Sequence, residues 1–248
     1  MFKRIHVKRS EVGQARPNVV ENSAVPAYNL PDMTEPKTPR YIAIEGPIGV
    51  GKSSLAKLLA QKFGSRLVKE DVAHNPFLER FYENPKKYAF QTQLYFLLSR
   101  YRQQKELAQG DLFEAGVVCD YILAKDKIFA LINLEDDEVS LYESIYKLLV
   151  STLSKPDLVI YLHARPEVLL SRVRKRGIAY ERNISLDYLK TLSDAYNEYF
   201  FHYNETPLLV VNTSEIDFVE SARDLEHLVR EVKSVKRGMQ HYIPLGSR

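Results

Sequence analysis

A single cysteine, Cys119, in 248 residues leaves no internal disulfide framework and no cysteine-rich metal site, and suits a reducing cytosol. No apolar run approaches the length of a membrane span, and the first residues lack the apolar stretch of a secretory signal. A cytoplasmic chain with no membrane partner is the expectation. Net charge is also scarce where a fold could use it. The formal charge is +3, but residues 1–40 hold seven Lys/Arg against four acids, and the remainder carries 28 of each sign. That neutral body argues against nucleic acid as a partner. Apolar content is ample: 45% hydrophobic with 27% charged allows one sizeable core.

Residues 1–39 contain Pro17, Pro26, Pro31, Pro36 and Pro39 with little apolar periodicity, which predicts a disordered leader outside the fold. Its first ten residues are basic without acids, as in an organelle transit segment; a plain disordered extension is the simpler reading.

The stretch that organises the rest is Gly46-Pro47-Ile48-Gly49-Val50-Gly51-Lys52-Ser53, which fits the P-loop pattern G-x-x-x-x-G-K-[ST]. Tyr41-Ile42-Ala43-Ile44 before it reads as a buried strand, and Leu55, Ala56, Leu58 and Leu59 after it fall at helical spacing. Glycines let the backbone curl until N–H groups face a phosphate, and the helix N-terminus adds partial positive charge. Lys52 is placed to reach the outer phosphates of a triphosphate and the Ser53 hydroxyl to sit on Mg²⁺. A plain glycine turn capped by Ser53 would not explain both flanks.

Further strands are expected at 66–70, 116–120, 157–162 and 208–212, with helices between them. The alternation predicts an α/β fold of the P-loop NTPase type: a five-stranded parallel sheet, helices on both faces, in a domain over 40–232 with a C-terminal tail over 233–248. Glu70 and Asp120 both follow strands, so they should gather with the P-loop at the sheet's C-terminal edge. An acid placed like Asp120 helps hold Mg²⁺ in P-loop enzymes or else caps the next segment. Gln93 and Arg100 lie two turns apart on one mostly apolar helix and either line a polar pocket or reach solvent. Arg172, Arg174 and Arg176 precede Gly177 and form either a solvated face or a clamp on transferring phosphate.

Several of these segments together resemble the deoxynucleoside kinases, in particular bacterial members related to deoxycytidine, deoxyguanosine and deoxyadenosine kinases. Ile44-Glu45-Gly46 leads into the P-loop; Glu70-Asp71-Val72 is similar to the family's Glu-Pro-Val; Phe81-Tyr82-Glu83-Asn84-Pro85 leads to Gln93 and Leu98-Ser99-Arg100; and Arg172 to Gly177 resembles the arginine-rich lid, with Glu181 just beyond. The resemblance implies transfer of the γ-phosphoryl group of ATP to the 5′-hydroxyl of a deoxynucleoside, of purine or broad specificity, by a homodimer. It implies that Gly46, Gly49, Val50, Gly51, Lys52, Ser53 and Ser54 hold the donor, that Ser53 and Asp120 hold Mg²⁺, and that Glu70 is the general base. It implies further that Arg172 and Arg176 close over the phosphates, that Tyr82 and Glu181 bind the sugar 3′-hydroxyl, that Gln93, Arg100 and Asp126 meet polar atoms of the base, and that Phe129 stacks on its ring.

One departure stands out. After the strand-end acid the family usually has Arg then Ser, whereas this chain has Asp120-Tyr121-Ile122, which removes a cation from where charge develops. Lys125, Lys127 and Arg182 are the candidate substitutes. A thymidylate kinase-like monophosphate kinase and a nucleotide-binding regulator that has lost catalysis are the alternative readings.

Overall fold

The computed structural model of the chain describes residues 40–72, 74–109, 116–151 and 153–244; the leader expected over residues 1–39 lies outside the described residues. The strands are β1 (Tyr41–Glu45), β2 (Arg66–Val68), β3 (Val117–Cys119), β4 (Leu158–His163), β5 (Leu208–Asn212) and β6 (Met239–Tyr242). They form one sheet in the order β2-β3-β1-β4-β5-β6, with every neighbouring pair parallel. The helices are α1 (Lys52–Phe63), α2 (Leu78–Glu83), α3 (Pro85–Gln109), α4 (Lys125–Asn133), α5 (Asp136–Val150), α6 (Pro166–Arg176), α7 (Leu186–Phe201) and α8 (Ala222–Ser234).

Period-two alternation divides the core. Ile42 and Ile44 of β1 pack with Leu55 and Leu59 of α1, Leu169 of α6 and Leu228 of α8. Ala43, between them, joins Val159 and Tyr161 of β4 in a second layer with Leu192, Tyr196 and Phe200 of α7. Both faces of the sheet are thus covered, as a parallel sheet requires. A third cluster joins Phe81, Leu97, Ala130 and Tyr142 from α2, α3, α4 and α5. Local chemistry sets several helix ends: Pro166 stands at the start of α6, the Ser185 and Ser221 side chains accept backbone N–H bonds at the starts of α7 and α8, and Gly64 and Gly177 close α1 and α6 in the left-handed region.

The sheet has six strands where the sequence predicts five. The sixth, β6, falls in the segment expected to be a tail after residue 232, and it pairs with β5 alone. Its Met-Gln-His-Tyr sequence gives no apolar run, and no side chain in it is fully buried. Ladder hydrogen bonds hold it, helped by Gln240, whose Nε2 donates to Glu231 Oε2 of α8 at 2.9 Å. Such an edge strand carries almost no sequence signal.

Register places the site. Ala43 of β1 and Val68 of β2 both align with Cys119 of β3, so the P-loop, Glu70 and Asp120 leave the sheet along one edge. Gly46 is fixed there by space as well as by conformation: at φ +152 an added Cβ would lie 2.1 Å from the Leu162 carbonyl oxygen. Gly64, at φ +60, has nothing within 4 Å of such a Cβ. Gly46→Ala is expected to lower stability by at least about 3 kcal/mol and Gly64→Ala by about 1 kcal/mol. Urea unfolding of the two variants measures the difference.

Candidate active site at the sheet edge

The P-loop turns through Gly46, Gly49 and Gly51, all at positive φ, and delivers the chain into α1. The Lys52 ammonium folds back over the loop and donates to the carbonyls of Gly46 at 2.7 Å and Pro47 at 3.2 Å. Two carboxylates tie the loop to its neighbours. Glu45, fully buried, accepts from the Gly46 N–H at 2.8 Å and the Tyr196 hydroxyl at 2.9 Å through Oε1, and from the Ile122 N–H at 3.1 Å through Oε2. Asp120 accepts from the Ser53 hydroxyl through Oδ2 and from the Glu70 N–H through Oδ1, both at 2.6 Å. The ends of β1, β2 and β3 are therefore locked together by acids that each accept more than one hydrogen bond.

Glu70 stands in a chain of buried charges. Arg100 donates to Glu70 Oε1 through Nε at 3.0 Å and through a terminal nitrogen, while Lys125 Nζ donates to Oε2 at 2.6 Å. The other terminal nitrogen of Arg100 pairs with Asp126 Oδ1, and the Tyr142 hydroxyl donates to Asp126 Oδ2 at 3.0 Å. Burial by itself raises the Glu70 carboxyl, but the cations of Lys125 and Arg100 outweigh it and hold that carboxyl well below the usual carboxylate range. Burial, then the nearby Lys125 charge, pull the Lys52 ammonium down to about 8.

Lys52, Ser53, Glu70 and Lys125 line a pocket together with Val72, Phe81, Phe96 and Phe129. Gln93 also lines it, almost fully buried, and its Oε1 has no hydrogen-bond partner among the described residues. An unpaired buried acceptor beside a pocket calls for a donor on a ligand. Tyr82 stacks on Tyr180 with ring centroids 5.7 Å apart, and Glu181 beside them accepts from Arg176 through both oxygens, at 2.7 and 2.6 Å. A second cleft runs past Gly49, Gly51 and Ser54 to Arg172, Arg176 and the loop 216–220.

Residues 42–236 match the family model described as deoxynucleoside kinase. The chain belongs to the deoxynucleoside kinase family. It is 37% identical over 203 residues to deoxyguanosine kinase of Bacillus subtilis (strain 168), spanning 80% of this chain and 98% of that relative. It is 32% identical over 204 residues to deoxyadenosine/deoxycytidine kinase of the same organism, spanning 78% and 92%. Among solved structures, deoxyadenosine kinase from M. mycoides with bound dATP superposes with a TM-score of 0.67 at 30% identity, covering 78% of this chain and 98% of that one. The same enzyme with bound dCTP gives 0.66 at 31% identity, with the same coverage.

In this kinase, Lys52, Ser53, Glu70, Tyr82, Gln93, Arg100, Phe129, Arg176 and Glu181 line one pocket. Asp126 does not reach the pocket wall; it is fully buried, with its oxygens engaged by Arg100 and Tyr142. Arg172 lines the second cleft, and its guanidinium is committed to protein acceptors: the Thr213 hydroxyl at 3.0 Å and the carbonyls of Thr213 at 2.8 Å, Ile216 at 3.2 Å and Val50 at 3.4 Å. Sequence reasoning gave no role to Glu45, Tyr142 or the loop 216–220. An acid closing an otherwise apolar strand was a visible signal for Glu45, whereas nothing local marks Tyr142. Arg100→Leu leaves Glu70 with Lys125 alone and Asp126 with Tyr142 alone, and is expected to cost about 3–5 kcal/mol. Lys190→Ala, at an exposed pair with Asp187, is expected to cost less than about 1 kcal/mol. Denaturant unfolding of both variants checks the contrast.

Proposed function

We propose that this deoxynucleoside kinase transfers the γ-phosphoryl group of ATP to the 5′-hydroxyl of a purine deoxynucleoside, or of deoxynucleosides broadly, as a cytoplasmic homodimer. The observation that carries the reading is that P-loop Lys52 and Ser53, the carboxylate of Glu70 and the unpaired amide oxygen of Gln93 share one pocket. The backbone from Gly46 through Gly51, with Val50, Lys52, Ser53 and Ser54, forms the donor cradle. Glu70 accepts the proton of the 5′-hydroxyl. Its lowered basicity suits this reaction, because in a loose transition state the nucleophile loses its proton late and positioning matters more than base strength.

Gln93 meets the hydrogen-bonding edge of the base, and Phe96 and Phe129 pack on its faces. Tyr82 and Glu181 hold the sugar 3′-hydroxyl, and the Arg176–Glu181 pair links that contact to the phosphates. Arg100 and, behind it, Asp126 orient Glu70. Arg172 anchors α6 against the loop after β5, leaving Lys175 and Arg176 as the lid's cations at the cleft. Ser53 and Asp120 fit Mg²⁺, which takes one or two oxygen ligands from the protein and the rest from nucleotide and water. Among the described residues no group of three or more His, Cys, Asp or Glu could hold a metal; Mg²⁺ would arrive with the nucleotide. When bound, it neutralises charge on the β- and γ-phosphates. No helix among the described residues is long and apolar enough to cross a membrane. Exposed Leu141 and Leu148 of α5 and Leu98 of α3 offer apolar area for the homodimer.

Incubation with ATP and Mg²⁺ across the four deoxynucleosides and their monophosphates tests the reading. Deoxynucleoside monophosphates are the expected products, and turnover of monophosphates alone overturns it. Glu70→Gln is expected to lower kcat by at least about a hundredfold, with ATP affinity near wild type.

Lys52 gives a separate check. With its ammonium near 8, donor affinity should fall as pH rises above that value. Calorimetry of ATP binding should then show proton uptake, because the polyanion restores the charge. Affinity independent of pH across this range means that Lys52 does not bind the donor.

A further inference from the structure

We propose that Lys125 is a catalytic residue of this kinase, whose ammonium meets the transferring phosphoryl group beside Glu70. The inference rests on the phosphoryl-transfer reading above and adds to it a residue outside the P-loop and the lid. In that step the 5′-oxygen forms the new bond to phosphorus while the bond to the bridging oxygen breaks. The electron pair leaves with ADP, and the hydroxyl proton passes to Glu70. Lys125 exchanges no bond; it supplies charge where charge develops.

Position is the first support. Lys125 Nζ lies 2.6 Å from Glu70 Oε2 and shares the pocket wall with Lys52 and Ser53. An ammonium carries three N–H donors. Among the described residues Glu70 is the hydrogen-bond partner of this one, so its remaining donors are free to turn to a phosphoryl oxygen while Glu70 stays oriented. The Phe129 ring, 5.7 Å from Nζ, backs the side chain.

Its place on the helix is unusual for a cation. Lys125 opens α4, where the helix dipole repels a cation, and its side chain is only 9% exposed. Arg100 carries one positive charge against the two carboxylates of Glu70 and Asp126, and Lys125 supplies the second, so the cluster is neutral before any ligand enters. The charge of Lys125 also depresses the Lys52 ammonium. Two ammonium groups in one pocket, each raising the free energy of the other, form a field that a polyanion relieves.

The other candidates for the cation missing at Tyr121 are elsewhere. Tyr121 is fully buried, and its hydroxyl donates to Gln103 Oε1 at 2.9 Å. The Lys127 ammonium lies over the Tyr146 ring at 4.9 Å, and Arg182 is exposed.

Lys125→Met and Lys125→Cys test the proposal, the second with chemical rescue. The native Cys119 is fully buried, and burial pushes its thiol up to about 12, so 2-bromoethylamine should alkylate the introduced thiol selectively and rebuild an ammonium one sulfur away from lysine. Both variants are expected to lose about a hundredfold or more in kcat with deoxynucleoside KM within about threefold of wild type. Aminoethylation of the cysteine variant should return at least about a tenth of wild-type kcat, with treated wild type unchanged as the control. The proposal is overturned if Lys125→Met keeps kcat within about threefold of wild type. It is also overturned if the alkylated variant stays inactive while circular dichroism and ATP affinity match wild type. Wild-type enzyme that phosphorylates no deoxynucleoside defeats the underlying reading instead, and that result comes before any substitution is made.

Discussion

The Arg100 guanidinium joins the helical half of the site to the sheet. It rises from the middle of α3, lies 4.9 Å from the Phe96 ring, and pairs with Glu70 just beyond β2 and Asp126 in the first turn of α4. All three side chains are almost wholly removed from water. Charges in such a place persist only when their partners are fixed, because an isolated one costs several kcal/mol. The network therefore has few alternative arrangements. A shift of α3 or α4 would strand a carboxylate, so the pairing sets how these helices approach the strand ends.

Glu45 and Asp120 do for the loops what Arg100 does for the helices. Each uses both oxygens to accept hydrogen bonds from different segments. Glu45 links the start of the P-loop to α7 and to the segment after β3; Asp120 links the start of α1 to the backbone of Glu70. Backbone N–H groups that leave a sheet would otherwise lack partners. These carboxylates satisfy them and, in doing so, set the spacing between the P-loop and Glu70.

The sequence was most informative where chemistry is local. The P-loop needs its glycines because backbone and side chains already fill the space a Cβ would take, and that requirement is written into the six adjacent letters of residues 46–51. Continuous apolar runs likewise marked β1, β4 and β5, each buried over most of its length. β6 escaped because ladder hydrogen bonds, which any residue but proline can make, hold it. The site was legible as a list but not as an arrangement. Asp126 and Arg172 carry the residue types expected at a binding surface, yet burial and protein acceptors have claimed them. Which of two charged side chains faces a ligand depends on packing between α3, α4 and α5, and sequence spacing does not encode that.

Tyr121 and Lys125 act on Glu70 from two different places along the chain. At 121 the side chain is enclosed against α3, and its hydroxyl orients Gln103, whose Nε2 donates to the Lys69 carbonyl at 3.2 Å. The tyrosine thus braces the backbone that carries Glu70, in a space closed to solvent. A cation there would have to compete with that brace. One turn later the chain has bent, with the Lys125 N–H donating to the Ile122 carbonyl at 3.2 Å, and the next side chain to face Glu70 is the lysine. Position 121 holds the carboxylate in place through the backbone and position 125 sets its charge through space, so the two demands on Glu70 are met by separate residues.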